Sequence, residues 1–184
     1  MMIRLSKKHI IGWSIIISPV IFILLFFYLI SIGKLGFMPT FEQLENPRSA
    51  LASQIYTEDG ESLLPFFYEA NRSRTEFHEL SPYLVDALVS TEDKRFYQHS
   101  GIDFRGLVRV LFKTVIIGDK NAGGGSTISQ QLAKMLFPRE NLSNALQMVN
   151  RKFREWVIAV KLEKSYTKEE IVSMYFNQYD FLNL

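Results

Sequence analysis

Between Ile10 and Gly33 the chain carries no charged residue, and most positions are Ile, Leu, Phe, Val or Tyr. Wound as a helix, that run rises roughly 36 Å, enough to cross a hydrocarbon core of about 30 Å. A cleaved signal peptide is the alternative. Its apolar core would be shorter, about 7–15 residues, and a small-residue cleavage site would follow. Ser31-Ile-Gly-Lys-Leu-Gly36 makes a poor one. Pro19 lies mid-span, where a membrane helix tolerates proline better than a soluble helix does. Arg4, Lys7 and Lys8 precede the run, whereas Lys34 follows it with Glu42 and Glu45 close behind. The positive-inside bias therefore makes residues 1–9 a cytoplasmic tail and 10–33 an anchor, with everything later on the far side. The 184 residues leave room for about one further domain. A net charge of +2 is too small to suggest nucleic acid, and the absence of cysteine is compatible with an oxidising exterior.

Residues 34–50 read as a linker punctuated by Pro39 and Pro47. Ser53 to Tyr68 has the pattern of a β-hairpin turning at Glu58-Asp59-Gly60, where Asp-Gly supplies the positive φ angles of a tight turn. Ser81-Pro82 then opens a helix with Leu84, Val85, Leu88 and Val89 on one face. It should end near Thr91, leaving Glu92 at its tip. Asp103 is placed to cap a helix over 104–117, on which Arg105, Arg109 and Lys113 recur every four residues as a basic stripe. The rest of that segment is almost wholly apolar. It reads either as a buried helix with a solvated edge or as a helix at a bilayer surface with its cations toward phosphate. The Gly-rich run 121–125 is no Walker loop, because no Gly-Lys-Ser/Thr follows. Pro138 breaks the next helix, another is expected from about Ser143 to Lys164, and Thr167-Lys-Glu-Glu170 is a capping box for a last one.

Two separated carboxylates are the usual equipment for transfer at a glycosidic centre. Glu92 and Glu155 are the best candidates. Glu92 sits beside Phe96 and Tyr97, where burial would desolvate it. Glu155 follows Arg151 and Lys152 at helical spacing, so the three can share a face, either as a plain salt bridge or as a cationic seat for a pyrophosphate. Asp93 reads as structural, accepting hydrogen bonds within its turn, and His99 as packing locally. His9, His78 and His99 form no metal pattern, and no Gly-x-Ser-x-Gly elbow is present.

Four motifs together carry a resemblance. They are Glu92-Asp-Lys-Arg-Phe96 with His99 and Gly101; Gly124-Gly-Ser-Thr-Ile-Ser-Gln-Gln-Leu-Ala-Lys134; Arg151-Lys-Phe-Arg-Glu155; and Lys168-Glu-Glu-Ile-Val-Ser-Met-Tyr-Phe-Asn177. In this order, behind an anchor, the chain resembles the peptidoglycan glycosyltransferases, the polymerase domains of class A penicillin-binding proteins and their monofunctional relatives. The resemblance implies a mainly α, lysozyme-like helical transferase domain over 51–184, with a small amino-terminal β-hairpin and a hydrophobic jaw against the membrane. It implies polymerisation of lipid II into glycan strands at the outer face of a bacterial cytoplasmic membrane, with inversion and release of undecaprenyl pyrophosphate. By position, Glu92 matches the base and Glu155 the second glutamate. Arg109, Lys134, Arg151 and Lys152 match phosphate or sugar contacts, and Ser126, Thr127, Gln130 and Gln131 match the substrate-lining second motif. Asp93, Phe96, His99, Gly101 and Asn177 match motif positions of structural character. The chemistry requires no cofactor, although a divalent cation (Mg or Mn) is compatible with it. The implied partners are lipid II, the lipid-linked growing glycan, membrane lipids and other cell-wall synthesis and division proteins, with no nucleic acid.

Two departures stand out. Many members carry an arginine eight residues before the second glutamate, where this chain has Gln147; Arg139 and Arg154 are the nearby substitutes. The family domain also normally continues past the fourth motif, so a domain missing its carboxyl-terminal part is expected. A muramidase-like hydrolase and a non-catalytic anchored fragment are the alternative readings.

Overall fold

The computed structural model describes residues 7–45, 53–56, 58, 62–66, 74–118, 124–137 and 144–179. The fold is mainly α. Helix α1, Lys7–Ser31, runs unbroken through Pro19. Its stretch Trp13–Ser31 is long and apolar enough to cross a membrane and is almost entirely uncovered by the rest of the chain. Turns at Ile32 to Gly36 lead into α2, Phe41–Glu45, which Thr40 and Gln43 cap reciprocally. Residues read as linker thus enter the domain: Leu44 is buried in the core, and the Tyr166 hydroxyl donates to its carbonyl. Strand β1, Ser53–Tyr56, pairs antiparallel with β2, Ser62–Phe66, with a register shift between Ile55 and Tyr56. Asp59, Gly60 and the end of the expected hairpin at Tyr68 lie outside the described residues.

Four helices follow that hold the core: α3, Pro82–Glu92; α5, Ile128–Leu136; α6, Ala145–Ser165; and α7, Lys168–Gln178. Val85 and Leu88 from α3, Ile128 and Leu132 from α5, Ile158 and Leu162 from α6, and Ile171, Val172 and Tyr175 from α7 close around Phe96, which is fully buried. Complete burial of a Phe side chain removes enough apolar surface to contribute about 2–3 kcal/mol. Pro82 opens α3 as expected, but the Ser81 side chain makes no capping hydrogen bond; the starts of α6 and α7 are capped by side chains. Asn144 accepts from the Gln147 N–H, and Thr167 and Glu170 close a capping box.

Helix α4 departs from expectation. Asp103 caps it through the Gly106 N–H, but α-helical geometry covers only Phe104–Leu111. Phe112–Ile117 is π-helical and ends at Gly118 in the left-handed conformation. Arg105, Arg109 and Lys113 are all exposed. The apolar side chains here are not buried. Phe104, Val108 and Ile116 are each about two-thirds exposed, which removes the buried-helix reading.

Candidate active site

Glu92 is the last residue of α3 and is exposed rather than desolvated by Phe96 and Tyr97. The helix ends there because Asp93 leaves αR geometry, its N–H still bonded to the Val89 carbonyl. The Glu92 carboxylate receives a hydrogen bond of 2.7 Å from Gln131 Nε2 on α5. Asp93 points the other way, into the protein. It pairs with His99 Nε2 at 3.0 Å and accepts from the Ile128 N–H at 3.2 Å, so it ties the first motif to the start of α5. These bonds span the fold, whereas bonds within the turn were expected.

Gly101 explains the end of that motif. Its φ is +91°, and a Cβ there would lie 2.9 Å from the Ala159–Val160 backbone of α6. Only glycine combines that conformation with so close an approach. The Gly101 carbonyl accepts from Thr127 Oγ1 at 2.8 Å and from Gln130 Nε2 at 3.1 Å. Both side chains are buried, and Thr127 also caps α5. Two residues matched to substrate lining therefore direct these polar atoms at the neighbouring loop.

On α6, Lys152 Nζ reaches Glu155 Oε2 and Ser126 Oγ, each at 2.9 Å, and Arg151 Nε lies 3.8 Å from Glu155 Oε1. The shared face read from spacing is present, with Glu155 largely buried between two cations. These residues, with Gln130, Gln131, Lys134 and Met148, line a cleft of about 350 Å³. A second cleft of about 500 Å³ holds Glu92, Lys94, Arg109 and Gly124 to Thr127. The clefts adjoin at Ser126, and Gln131 lines one while bonding the carboxylate of the other. Glu92 and Glu155 do not line the same cavity. Of the two substitutes for the arginine absent at Gln147, Arg154 is buried and turned toward the Phe37 carbonyl, and Arg139 lies outside the described residues.

Reasoning from spacing missed three supports. Arg95 forms a forked ion pair with Asp103 at the rim of the second cleft. Burial alone would raise the Asp103 carboxyl, but the Arg95 hydrogen bonds, the Gly106 N–H and the Arg95 charge outweigh it and hold the group below its usual range. Lys168 of the fourth motif bonds Glu163 and the His99 carbonyl at 2.8 Å, and stands 4.2 Å over the Phe96 ring; Glu163 also takes the Ser129 hydroxyl. Asn177 pairs both ways with the Thr75 backbone at 2.9 Å. Only the motif membership of Lys168 and Asn177 hinted at these contacts. Among the described residues no three His, Asp or Glu side chains converge as a metal site. Glu155 is engaged by Arg151 and Lys152.

Fold and site together define an anchored helical protein with one exposed carboxylate facing a cleft and a second held among cations next to it. The transglycosylase family model matches residues 59–183, and the chain belongs to that family. It is 30% identical over 183 residues to penicillin-binding protein 1F of Bacillus subtilis, covering 98% of this chain and 24% of that protein. It is 35% identical over 141 residues to penicillin-binding proteins 1A of Neisseria flavescens and Neisseria gonorrhoeae, covering 77% of this chain and 17% of each. The chain thus spans a quarter or less of the length of these curated relatives.

Proposed function

We propose that the chain carries a peptidoglycan glycosyltransferase site that polymerises lipid II by inverting transfer on the outer face of the cytoplasmic membrane, its amino terminus inside. The observation that supports this reading most is the adjacency of an exposed, hydrogen-bonded Glu92 to a cleft of cations. Glu92 takes the proton of the acceptor sugar's 4-hydroxyl as that oxygen attacks the donor's anomeric carbon. The bond from the anomeric carbon to the pyrophosphate oxygen breaks, and undecaprenyl pyrophosphate leaves. Lys134, Arg151 and Lys152 neutralise the departing diphosphate with charge-assisted hydrogen bonds. Glu155 orients the two α6 cations by pairing with both. Arg109 and Ser126 meet the sugar–phosphate where the clefts join. Phosphate binding by exposed cations weakens with salt, so Lys134→Ala should lower affinity most at low ionic strength.

The deciding experiment is polymerisation of lipid II by Glu92→Gln. Turnover should fall by about 10²–10⁴-fold, the usual scale for a positioned base, with the melting transition unchanged. Near-normal polymerisation would end the assignment. Release of reducing ends from mature glycan, with no lipid II consumed, would instead identify a hydrolase.

A further inference from the structure

We infer that Tyr175 and Gln131 form a positioning relay for Glu92, the buried phenol fixing the amide and the amide fixing the carboxylate. The inference rests on Glu92 acting as the base. Three helices contribute one residue each. Tyr175 on α7 donates its hydroxyl to Gln131 Oε1 at 3.2 Å, and Gln131 on α5 donates Nε2–H to Glu92 Oε2 at the end of α3 at 2.7 Å.

The chemistry leaves the chain of bonds only one direction. An ionised carboxylate can only accept, so Gln131 must turn its NH₂ group to Glu92. Its carbonyl oxygen then faces Tyr175, and the phenol must donate. Reversing the amide would set its oxygen against the carboxylate and break the bond to Glu92. The phenol is well suited to hold this sense. It is 3% exposed, its ring stacks on Tyr179 at 5.5 Å, and burial together with the Glu92 charge pushes its pKa up to about 12. It therefore keeps its proton throughout the neutral pH range.

Without the relay, Glu92 would be an exposed side chain at a helix end with its rotamers open to water. Among the described residues no other polar contact holds it. Gln131 bonds only Oε2, which leaves Oε1 to take the acceptor proton. The bond also crosses the boundary between the two clefts, because Gln131 lines the cationic one. The carboxylate is thereby aimed relative to the phosphate seat, which serves reaction geometry rather than substrate affinity.

A double-mutant cycle on the anchored chain, with lipid II as substrate, tests this. Tyr175→Phe deletes only the hydroxyl. It should lower kcat about 3–10-fold, the worth of one net hydrogen bond, while KM stays within twofold. Gln131→Ala should cost at least as much, and adding Tyr175→Phe to it should cost nothing further. Equal losses in both backgrounds would overturn the relay, because Tyr175 would then act without Gln131. An inactive Glu92→Gln alongside an additive cycle sinks the relay alone; an active Glu92→Gln sinks the base assignment beneath it. A second measurement needs no turnover. In the ¹⁵N-glutamine-labelled chain in detergent micelles, the Gln131 side-chain amide should exchange slowly with solvent, and Tyr175→Phe should accelerate it. Fast exchange in the unmodified chain, or no change in Tyr175→Phe, would refute the proposal.

Discussion

Asp103 does two separable things. Its side chain caps α4 through the Gly106 N–H, and it pairs with Arg95. Asn caps as well as Asp does, so Asp103→Asn removes the pair and keeps the cap. The folded carboxyl titrates below its ordinary range, near 3.9 when unfolded. The folded state therefore binds this proton less readily, and the stabilisation is complete at neutral pH. It is lost as pH falls through the depressed folded value. Asp103→Asn should be less stable than the unmodified chain at pH 7 by about 1 kcal/mol, modest for a partly solvated pair. The gap should close in acid, as thermal melts followed by circular dichroism across that range would show. The cap was legible because Asp103 immediately precedes an apolar run. Arg95 was not, since the intervening turn at Phe96–Gln98 brings the two together and no local pattern encodes it. The same limit hid the bond from Gln131 to Glu92: residue types and motif positions were readable, but the direction of each side chain depends on helices far apart in sequence.

At the scale of elements, α6 serves three neighbours with three faces. Arg151, Lys152 and Glu155 face the cleft, and Ile158, Ala159 and Leu162 face the core. Asn150, Phe153, Arg154 and Lys161 face the anchor and its exit. Asn150 Nδ2 donates to the Leu35 carbonyl at 2.7 Å, and Phe153 meets Phe26 and Phe27 edge to face. Burial also pulls the Lys161 ammonium below its usual pKa as it turns toward the Ser31 carbonyl. Gly36 has φ +126°, a conformation that side-chain-bearing residues rarely adopt, and a notional Cβ there would lie 2.6 Å from Arg154 Nη1. Gly36→Val should thus destabilise the domain by more than about 1 kcal/mol. Hydrogen-exchange mass spectrometry in micelles should find faster exchange over 32–38, with α5 and α7 still protected. Unchanged exchange there would mean that the anchor exit is not clamped to α6. The apolar face and Pro82 made α3 readable, and the capping box at Thr167–Glu170 marked the start of α7. The π-helical segment was not readable, because its sequence satisfies an α-helical pattern equally well, and residues 34–50 gave no local sign that Leu44 joins the core.

For the molecule as a whole, the exposed apolar surface is the feature that a soluble protein would have difficulty sustaining. Phe104, Val108, Leu111 and Phe112 lie uncovered on α4 and at its end, and Ile116 and Ile117 continue them through the π turn. Leu146, Met148 and Val149 are exposed at the start of α6, in the segment that leads to the cationic cleft. Exposed apolar surface of this extent marks a contact with lipid or protein. A chain already held at a bilayer by α1 has lipid within reach, and the gain of about 25 cal/mol per Å² buried needs no further partner. Partial immersion of α4 would bring the cleft to headgroup depth, where a lipid-linked pyrophosphate would present its charge. Because the chain contains no cysteine, single cysteines can report position without background. An environment-sensitive fluorophore at Val108, Phe112 or Ile116 should shift to shorter wavelength in vesicles and be quenched by nitroxide lipids. The same label at Tyr83, also exposed but on α3, should remain aqueous. Aqueous emission at all four positions would mean that the apolar band meets something other than lipid, and that α1 alone holds the domain at the membrane.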